Sequence, residues 1–409
     1  MTTPHLRKAS LVDELRRIVP TEQIEPHSDG DDAVGGSWAV EPATRVELVE
    51  LLNWANCRHA AVFTRRPRRH DGERLGRRPR IYLRGRRMRR VKDLDIVSGT
   101  VTVQSGISMV ELERLLGDRS FTTGFPTRPW RQESLGALLA AGLDSHWGPR
   151  FGSMEDQVLG LGVVMPDGSA VTSKPVPRRA VGPDFDRLFI GSRGQFGIIE
   201  EATLRIYPST SRVVLSYGAP DVAAALQAVR RGMDLGLDPR AVELLTPAAD
   251  RAWGRKRVGL TDARPVLVMV EPWGPLAGRP VSWIDDHFSA TLERLDPPLG
   301  WNVHEGLLPA PRGWRAPVVA MPWARLAALG AEIGQAAPPG LWIVRLSAHG
   351  GWVSLAGESK GDEADRVRQA IAAAQPPRLG PWRALHAALK AELDPKGTLN
   401  PDLGDRGGR

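Results

Sequence analysis

Three glycines within seven residues, followed by an apolar run, constrain the fold of this chain more than any other feature. Gly191, Gly194 and Gly197 lie in the stretch GSRGQFGIIEEATLRIYP, residues 191–208. Glycine lets the backbone adopt positive φ and approach a flat or charged ligand closely. The β-branched alternation that ends the stretch predicts a strand. Turn geometry alone also explains such a window, so its neighbours must decide between a turn and a ligand-binding loop.

Four further segments stand in a fixed order relative to this window. Residues 42–56 have the spacing of an amphipathic helix, and residues 100–107 alternate as a strand that ends in glycine and precedes the helix MVELERLL. Residues 134–168 combine an apolar helix with glycines, in SLGALLAAGLDSHWGPRFGSMEDQVLGLGVVMPDG. The segment LDPKGTLNPDLG, residues 393–404, comes near the end of the chain. Alternating helix and strand patterns are typical of a β-α-β arrangement.

Together these segments resemble the FAD-linked oxidases of the vanillyl-alcohol oxidase type, which carry a p-cresol methylhydroxylase (PCMH)-type FAD-binding domain. That family has "T-I-G-G" and "Y-G-x-x-x-D-x-V-L-G" beside the flavin, "G-S-E-G-x-x-G-I-I-T-E" on the adenine side and "D-P-x-x-x-L-N-P" near the C-terminus. AAGL at 140–143 is similar to the FAD-binding subunit of glycolate oxidase, and GPDFDRLFIGS at 182–192 is similar to alkyl-dihydroxyacetone-phosphate synthase. The resemblance implies FAD as cofactor and an α+β fold, in which a two-subdomain FAD-binding domain carries an α+β cap domain.

The expected domain organisation follows from where the pattern of helix and strand segments changes along the sequence. Residues 1–33 form a lead-in, 34–210 the FAD-binding domain, 211–375 the cap that shapes the substrate pocket, and 376–409 a return to the first domain.

Two patterns in the cap are specific enough to test. RPVSWIDDHFSATLERL, residues 279–295, predicts one helix, and WIVRLSAHGGWVSLAG, residues 342–357, predicts a strand hairpin.

Composition narrows the function classes. The 409 residues are enough for two domains with cores. The formal net charge is +8. The preference for arginine over lysine among the basic residues usually reflects the base composition of the genome. The 13 tryptophans are scattered, which argues against a base-stacking nucleic-acid groove. A single cysteine, Cys57, excludes an internal disulfide and fits a reducing cytoplasm. The sequence shows neither an apolar leader segment nor a run long enough for a membrane span, so we expect a cytoplasmic protein.

The resemblance also implies which residues contact FAD. Backbone amides in glycine-rich turns bind a pyrophosphate at close range, where a side chain would block the approach. The residues at the matching positions are Ser134, Leu135, Gly136, Gly142, Ser145, Phe151, Gly152, Asp156, Val158, Gly191, Ser192, Gly194, Gly197, Ile198 and Asn400. For each glycine, turn geometry alone is the competing explanation.

The chain departs from the family in the adenine-side loop and in the first phosphate loop. Arg193 and Gln195 replace the glutamate and the residue after the second glycine of "G-S-E-G". The first phosphate loop, "G-G-G-T-S" or "R-x-G-G-H" in the family, is TRRPRRHDGERLGRRPR at 64–80. Either arginine forks replace the glycine amides on the pyrophosphate, or flavin binding is weakened or lost. His70 stands where some members join histidine covalently to flavin.

The arginines between 65 and 90 admit three interpretations. They form a solvated basic loop, a site for pyrophosphate or an anionic substrate, or a docking surface for an acidic partner or nucleic acid.

The catalytic groups are less well marked in the sequence. Related 2-hydroxyacid dehydrogenases carry H-x-H in the cap, where this chain has RLSAHGGWVSLAGE. Arg345 could bind a substrate carboxylate through two hydrogen bonds, and His349 or His146 could accept a proton. No Cys/His spacing indicates a metal site.

The sequence therefore predicts an FAD-dependent oxidoreductase, or a subunit of one, that oxidises a small alcohol or 2-hydroxy acid by hydride transfer to flavin. Electrons would pass to oxygen or to a partner redox subunit. The alternative is a degenerate flavin fold kept as a non-redox scaffold or partner subunit. A third, basic interaction protein would use the arginine-rich loop on nucleic acid. Substrate, electron acceptor and oligomeric state stay open.

Overall fold

The structure, a computed structural model, places most of the elements that the sequence predicts. It describes residues 11–27, 36–64, 78–125, 132–142, 148–152, 154–176, 184–209, 213–245, 266–273, 281–295, 318–328, 341–347, 350–356 and 381–401.

The first sheet has the strand order β1-β2-β4-β3, in which β1 is antiparallel to β2 and the other pairs are parallel. Its strands are β1 (Ile24–Pro26), β2 (Ser37–Val40), β3 (Ala61–Phe63) and β4 (Arg80–Leu83). Helix α1 (Arg45–Cys57) follows β2 and buries an apolar face against this sheet. Thr44 caps it by accepting a hydrogen bond from the Glu47 amide, while the Glu47 carboxylate accepts one from the Ala43 amide.

The second sheet is antiparallel throughout and has the order β5-β6-β10-β8-β9. Its strands are β5 (Val91–Asp95), β6 (Thr100–Gln104), β8 (Val158–Val164), β9 (Ala170–Thr172) and β10 (Ile198–Arg205). A two-residue pair joins β7 (Phe121–Thr122) to β11 (Tyr207–Pro208).

Further helices come from the same stretch of chain as this sheet. They are α2 (Met109–Gly117), α3 (Leu135–Ala141), α4 (Gly148–Phe151), α5 (Met154–Gln157) and α6 (Asp186–Phe189). The apolar faces of α2 and α3 share one core with β6, β8 and β10. The glycine window therefore ends in the central strand of a sheet, as its sequence predicts.

The third sheet has the order β15-β12-β14-β13-β17-β18-β16 and is antiparallel. Its strands are β12 (Leu215–Ala219), β13 (Pro239–Leu245), β14 (Val266–Pro272), β15 (Glu293–Leu295), β16 (Val318–Pro322), β17 (Leu341–Ser347) and β18 (Gly350–Ala356). Helices α7 (Val222–Asp234) and α8 (Val281–Phe288) cover one face of it. This sheet lies wholly within the segment predicted to be the cap.

One prediction within the cap is wrong. The helix expected over 279–295 ends at Phe288, and Glu293–Leu295 instead pairs with Ser216–Gly218 as the edge strand β15. The unpaired edge of β12 offers backbone hydrogen bonds that the helical pattern does not reveal. The hairpin expected over 342–357 is confirmed by the antiparallel pair β17–β18. The domain boundaries themselves stay predictions.

The last helix, α9 (Pro381–Leu393), leads the chain back to the first two sheets. Leu399 forms a parallel bridge with Val62 at β3, and the main-chain N–H of Asn400 donates to the Val62 carbonyl at 2.8 Å. The C-terminal segment thus lies beside the first sheet, where β3 leads into the arginine-rich stretch.

Candidate functional site

Two glycines bring the glycine-rich loop 191–197 into contact with the end of α3. Gly142 ends α3 at φ +62°, and a Cβ there would lie 2.8 Å from the Gly191 Cα. The Gly191 amide donates to the Leu139 carbonyl at 2.9 Å, and the Arg193 amide donates to the Ala140 carbonyl at 2.7 Å. A side chain at Gly142 would separate the two backbones, so the close approach itself requires glycine.

The same loop is held from its other side by Asn400, which is fully buried. Its Nδ2 donates to the Gly194 carbonyl at 2.9 Å, to the Arg193 carbonyl at 3.3 Å and to the Thr64 hydroxyl at 3.1 Å. Its Oδ1 accepts from the Thr64 amide at 3.1 Å. The side-chain amide of Asn400 therefore connects the glycine loop to Thr64, where the 64–80 stretch begins.

The positions that match "T-I-G" lie at the start of α3. The Ser134 hydroxyl caps the helix by accepting from the Ala137 amide at 3.2 Å, and the Leu135 side chain is buried in the core of the second sheet. The Gly136 amide donates to the Ser105 carbonyl at 2.8 Å, and a Cβ on Gly136 would lie 2.9 Å from the Ser105 Cβ. The backbone of α3 thus lies directly against the end of β6.

The predicted residues at the other end of the glycine loop support its path. The Ser192 hydroxyl donates to the Phe189 carbonyl at 2.8 Å. A Cβ on Gly197 would lie 2.5 Å from the Val163 side chain, and Ile198 pairs with Val164 across the sheet. Gly197 and Ile198 therefore fix how the loop enters β10.

The positions that match "Y-G" connect the second sheet to the cap. The buried Phe151 ring lies 4.5 Å from the Tyr207 ring and 5.1 Å, edge-on, from the Trp273 ring at the end of β14. Gly152 follows at φ +85°, where a Cβ would lie 2.8 Å from the Asp156 Cβ.

Two further predicted contacts flank this turn. Asp156 lies 3.7 Å from the Arg187 guanidinium, and Val158 begins β8 half-buried against the core. The turn is therefore built from the predicted residues, with an aromatic ring at its contact with the cap.

Sequence reasoning missed a buried ion pair in the cap. Arg240 of β13 donates to Glu271 of β14 at 3.0 Å, with both side chains at most 3% exposed. The Arg240 guanidinium lies 4.4 Å from the Trp273 ring centroid. Burial lowers the pKa of Arg240, and the nearby Glu271 carboxylate opposes that shift. Charged residues inside the apolar runs PRAVELL and VLVMVEP were the available signal.

A second ion pair fastens α4 to the same end of the cap sheet. Arg150 lies 3.0 Å from Asp238, and its guanidinium lies 5.7 Å from the Trp273 centroid. Trp273 thus has Arg150, Phe151 and Arg240 around its ring.

The predicted catalytic residues fall largely outside the described part of the chain. His349 and His146 lie outside the described residues, as do Ser145 and the covalent candidate His70. Arg345 lies on β17, at the register position opposite Glu243 of β13. Glu243 itself is 5% exposed.

The arginine-rich segment is described only from residue 78 onward. Arg78 donates to the backbone carbonyls of His59, Ala60, Lys396 and Gly397. Burial lowers its pKa, and Asp394 opposes that shift. Arg78 is therefore a structural residue that ties the C-terminal segment to β3.

Beyond Arg78, Arg84 pairs with Glu25 and Glu41 at 2.8 and 3.3 Å. The next arginines, at 86, 87, 89 and 90, are exposed. The three interpretations of the remaining arginines stay open, because residues 65–77 lie outside the described part.

Several buried side-chain polar atoms of the described residues lack a hydrogen-bond partner. Among the described residues they include both amide atoms of Gln157, Oε1 of Gln195 and Oγ1 of Thr398. Buried polar groups are otherwise almost always paired. Unpartnered polar atoms on the segments that the resemblance assigns to the cofactor fit a ligand that brings hydrogen-bonding groups, and a dinucleotide cofactor such as FAD has that chemistry.

Two searches of the described residues bear on other function classes. No group of three or more His, Cys, Asp or Glu side chains is arranged to hold a metal ion there. No helix in the part that the structure describes is long and apolar enough to cross a membrane.

Comparison with known proteins agrees with this geometry. Residues 37–174 match the family described as "FAD binding domain". An uncharacterized FAD-linked oxidoreductase, YgcU of Escherichia coli (strain K12), is 31% identical over 166 residues, which are 40% of this chain and 34% of that protein. The mitochondrial D-lactate dehydrogenase [cytochrome] of Arabidopsis thaliana is 34% identical over 167 residues, 40% of this chain and 29% of that protein. The match thus spans about a third of these relatives' length.

Solved structures confirm the fold class. Alkyldihydroxyacetonephosphate synthase superposes with a TM-score of 0.72 at 18% identity, covering 96% of this chain and 86% of that chain. p-Cresol methylhydroxylase with substrate bound superposes at 0.63 and 13% identity, covering 95% of both chains. At these identities the likeness shows the fold alone. The family match and the FAD-linked relatives confirm FAD as the predicted cofactor.

Proposed function

The chain carries an FAD binding domain over residues 37–174, and from that premise we propose that it is an FAD-dependent oxidoreductase acting on the CH–OH group of a small alcohol or 2-hydroxy acid. The observation that supports the proposal most is the pair of close glycines, Gly142 and Gly191, which docks the 191–197 loop on α3. FAD, when bound, supplies the acceptor for a hydride from the substrate carbon.

In this proposal the described residues orient the cofactor. The 191–197 loop lies on the adenine side, and its glycines let it pack closely against α3, Thr64 and Val163. Asn400 keeps this loop against Thr64, so that it is held at the start of the first phosphate loop. Ser134, Leu135 and Gly136 fix the backbone of α3 beside the cofactor.

The cap would cover the reacting carbon and exclude water from it. Phe151 of α4 packs edge-on against Trp273 at the end of β14, which joins α4 to the cap sheet. Arg345 would bind a substrate carboxylate, and His349 or His146 would take the hydroxyl proton on a ring nitrogen. These three roles rest on the sequence, and so does the expectation that electrons pass to oxygen or to a partner redox subunit.

The absorption spectrum of the purified protein tests the proposal. Flavin bands that move to the supernatant after acid precipitation would indicate bound, dissociable FAD. Bands that stay with the pellet would assign a covalent link to His70. A folded protein that stays colourless in excess FAD would contradict the proposal.

Substrate class is tested by anaerobic bleaching of the flavin. D-Lactate and glycolate should bleach it, whereas propionate and acetate, which lack the hydroxyl, should not. Arg345→Gln should raise KM for the 2-hydroxy acid while leaving flavin content unchanged. A neutral alcohol provides the control substrate, because its KM should not respond to the loss of the guanidinium.

A non-redox scaffold is the second candidate, and one observation favours it. The first phosphate loop has arginines and prolines where the family has glycines, and proline lacks an amide hydrogen. Loss of one charge-assisted contact costs about 1.5–3 kcal/mol, so a whole altered loop could abolish FAD binding. Failure of the spectral test in a folded protein would support this candidate.

A further inference from the structure

Gln195, within the glycine loop, has a buried side chain with an open acceptor. The residue is 4% exposed, and its Oε1 has no hydrogen-bond partner in the part of the chain that the structure describes. A buried amide oxygen without a donor destabilises the folded protein. Such a group in a ligand-binding loop is explained when the ligand supplies the donor.

Lys390 of α9 fixes the position of Gln195. Its Nζ donates to the Gln195 main-chain carbonyl at 2.7 Å, to the Leu399 carbonyl at 2.7 Å and to the Asp394 carboxylate at 2.6 Å. The side chain is 13% exposed. The ammonium group of Lys390 therefore connects α9 to the glycine loop at Gln195 and to the C-terminal segment at Asp394 and Leu399.

Asp394 makes this ammonium group rigid. It is 1% exposed, and it accepts from the Thr398 amide at 2.7 Å and from the Leu399 amide at 2.8 Å in addition to Lys390. A charge-assisted network of this kind holds its members in one arrangement. The backbone of Gln195 is thus fixed from the C-terminal side, while its buried side-chain oxygen has no donor among the described residues.

We propose that Gln195, positioned by Lys390, recognises the adenine base of the cofactor by accepting a hydrogen bond from its exocyclic amine. An amide oxygen is an acceptor, so it selects a base that presents an N–H donor over one that presents a carbonyl. The inference rests on the proposed function, which places the adenine side of FAD at the 191–197 loop. Gln195 is then a binding residue and Lys390 a positioning residue that acts through it.

Adenosine diphosphate and inosine diphosphate provide matched probes, because inosine has a carbonyl where adenosine has the amine. Each is titrated against the FAD-loaded protein, and its affinity is measured by displacement of FAD. The wild-type protein should bind ADP about ten-fold more tightly than IDP, the size expected for one hydrogen bond gained against an unpaired buried acceptor.

The variants separate recognition from general stability. Gln195→Met should bring the ADP to IDP ratio close to one, and Lys390→Met should lower both the ratio and the affinity for ADP. Affinity for FMN, which lacks the adenosine, should stay unchanged in both variants. Lys396→Met is the matched control, since Lys396 lies in the same segment but is exposed and donates only to the Asn56 carbonyl among its described contacts.

The outcomes distinguish the two proposals. A wild-type protein that fails to bind FAD overturns the proposed function and the inference together. A wild-type protein that binds FAD, with a nucleotide preference that Gln195→Met leaves intact, overturns the inference alone. A parallel loss of FMN affinity in Lys390→Met would show that the lysine supports only the fold.

Discussion

Asn400→Asp tests whether the C-terminal amide holds the glycine loop in place. The substitution keeps the size of the side chain but replaces the NH₂ donor with a carboxylate oxygen. Nδ2 of Asn400 faces the carbonyls of Gly194 and Arg193 at 2.9 and 3.3 Å. Both carbonyls would lose their side-chain donor and would face a negative charge. The Thr64 amide could still donate to the other oxygen.

The expected cost follows from these contacts. Leaving a buried acceptor unsatisfied costs about 1–3 kcal/mol, so two carbonyls together predict a loss of about 2–6 kcal/mol at pH 7.5. Asn400 is fully buried, which leaves little solvent to offset the charge. Asn400→Ala also loses the donors and must adopt φ +42°, which costs an additional 1–2 kcal/mol, roughly.

The pH dependence separates the two variants. Carbonyl neighbours and burial raise the pKa of the introduced carboxyl in the folded protein above its unfolded value of about 3.9. The folded state therefore retains a proton that the unfolded state has lost, and stability falls as pH rises from the unfolded pKa through the folded one. The penalty of Asn400→Asp should be smaller at pH 5 than at pH 7.5. The penalty of Asn400→Ala, which has no titrating group, should stay constant relative to wild type.

Urea unfolding of the three proteins at pH 5 and pH 7.5, followed by tryptophan fluorescence, measures these differences. An Asn400→Asp protein within about 0.5 kcal/mol of wild type at both pH values would refute the argument that the amide holds the loop. An equal penalty at the two pH values would refute the electrostatic part of it.

Three further predictions concern other parts of the fold. Gly142→Ala should lower stability by about 2–3 kcal/mol, measured by thermal unfolding, because the new Cβ meets backbone 2.8 Å away at positive φ; Gly117→Ala, with nothing within 4 Å, should change little. Arg240→Met should cost about 3–5 kcal/mol by leaving Glu271 buried without its cation, and adding Glu271→Gln should recover part of that loss. Burial and a nearby lysine lower the pKa of His386, so its contribution to stability should fall as pH drops below about 6.5; a His386→Gln protein that loses stability over the same pH range as wild type would contradict this.

Sequence periodicity was sufficient wherever local physics dominates. The glycines at 142, 191 and 194 all adopt positive φ, which no other residue type adopts as readily. The helix predicted over 42–56 forms at Arg45–Cys57, because its apolar spacing and its capping box are both local. These features carried the resemblance to FAD-linked oxidases, which the FAD binding domain match over residues 37–174 supports.

Prediction from the local sequence pattern failed where contact with a distant segment determines the structure. Residues 293–295 have a helical pattern, but the open edge of β12 pairs with them as a strand. The sequence also gave no sign that Gln195 would be buried with an open acceptor, because its surroundings come from α9, almost two hundred residues later.

The sequence by itself determined most of the helices, strands and glycine turns, since propensity, capping and positive φ depend on near neighbours. Only the tertiary structure decided what those segments contact. The Asn400 amide meets Thr64 from 336 residues away, and Arg240 meets Glu271 across two strands. Such pairs form because buried polar groups must find partners wherever the packed chain supplies them, and no short-range pattern records that choice.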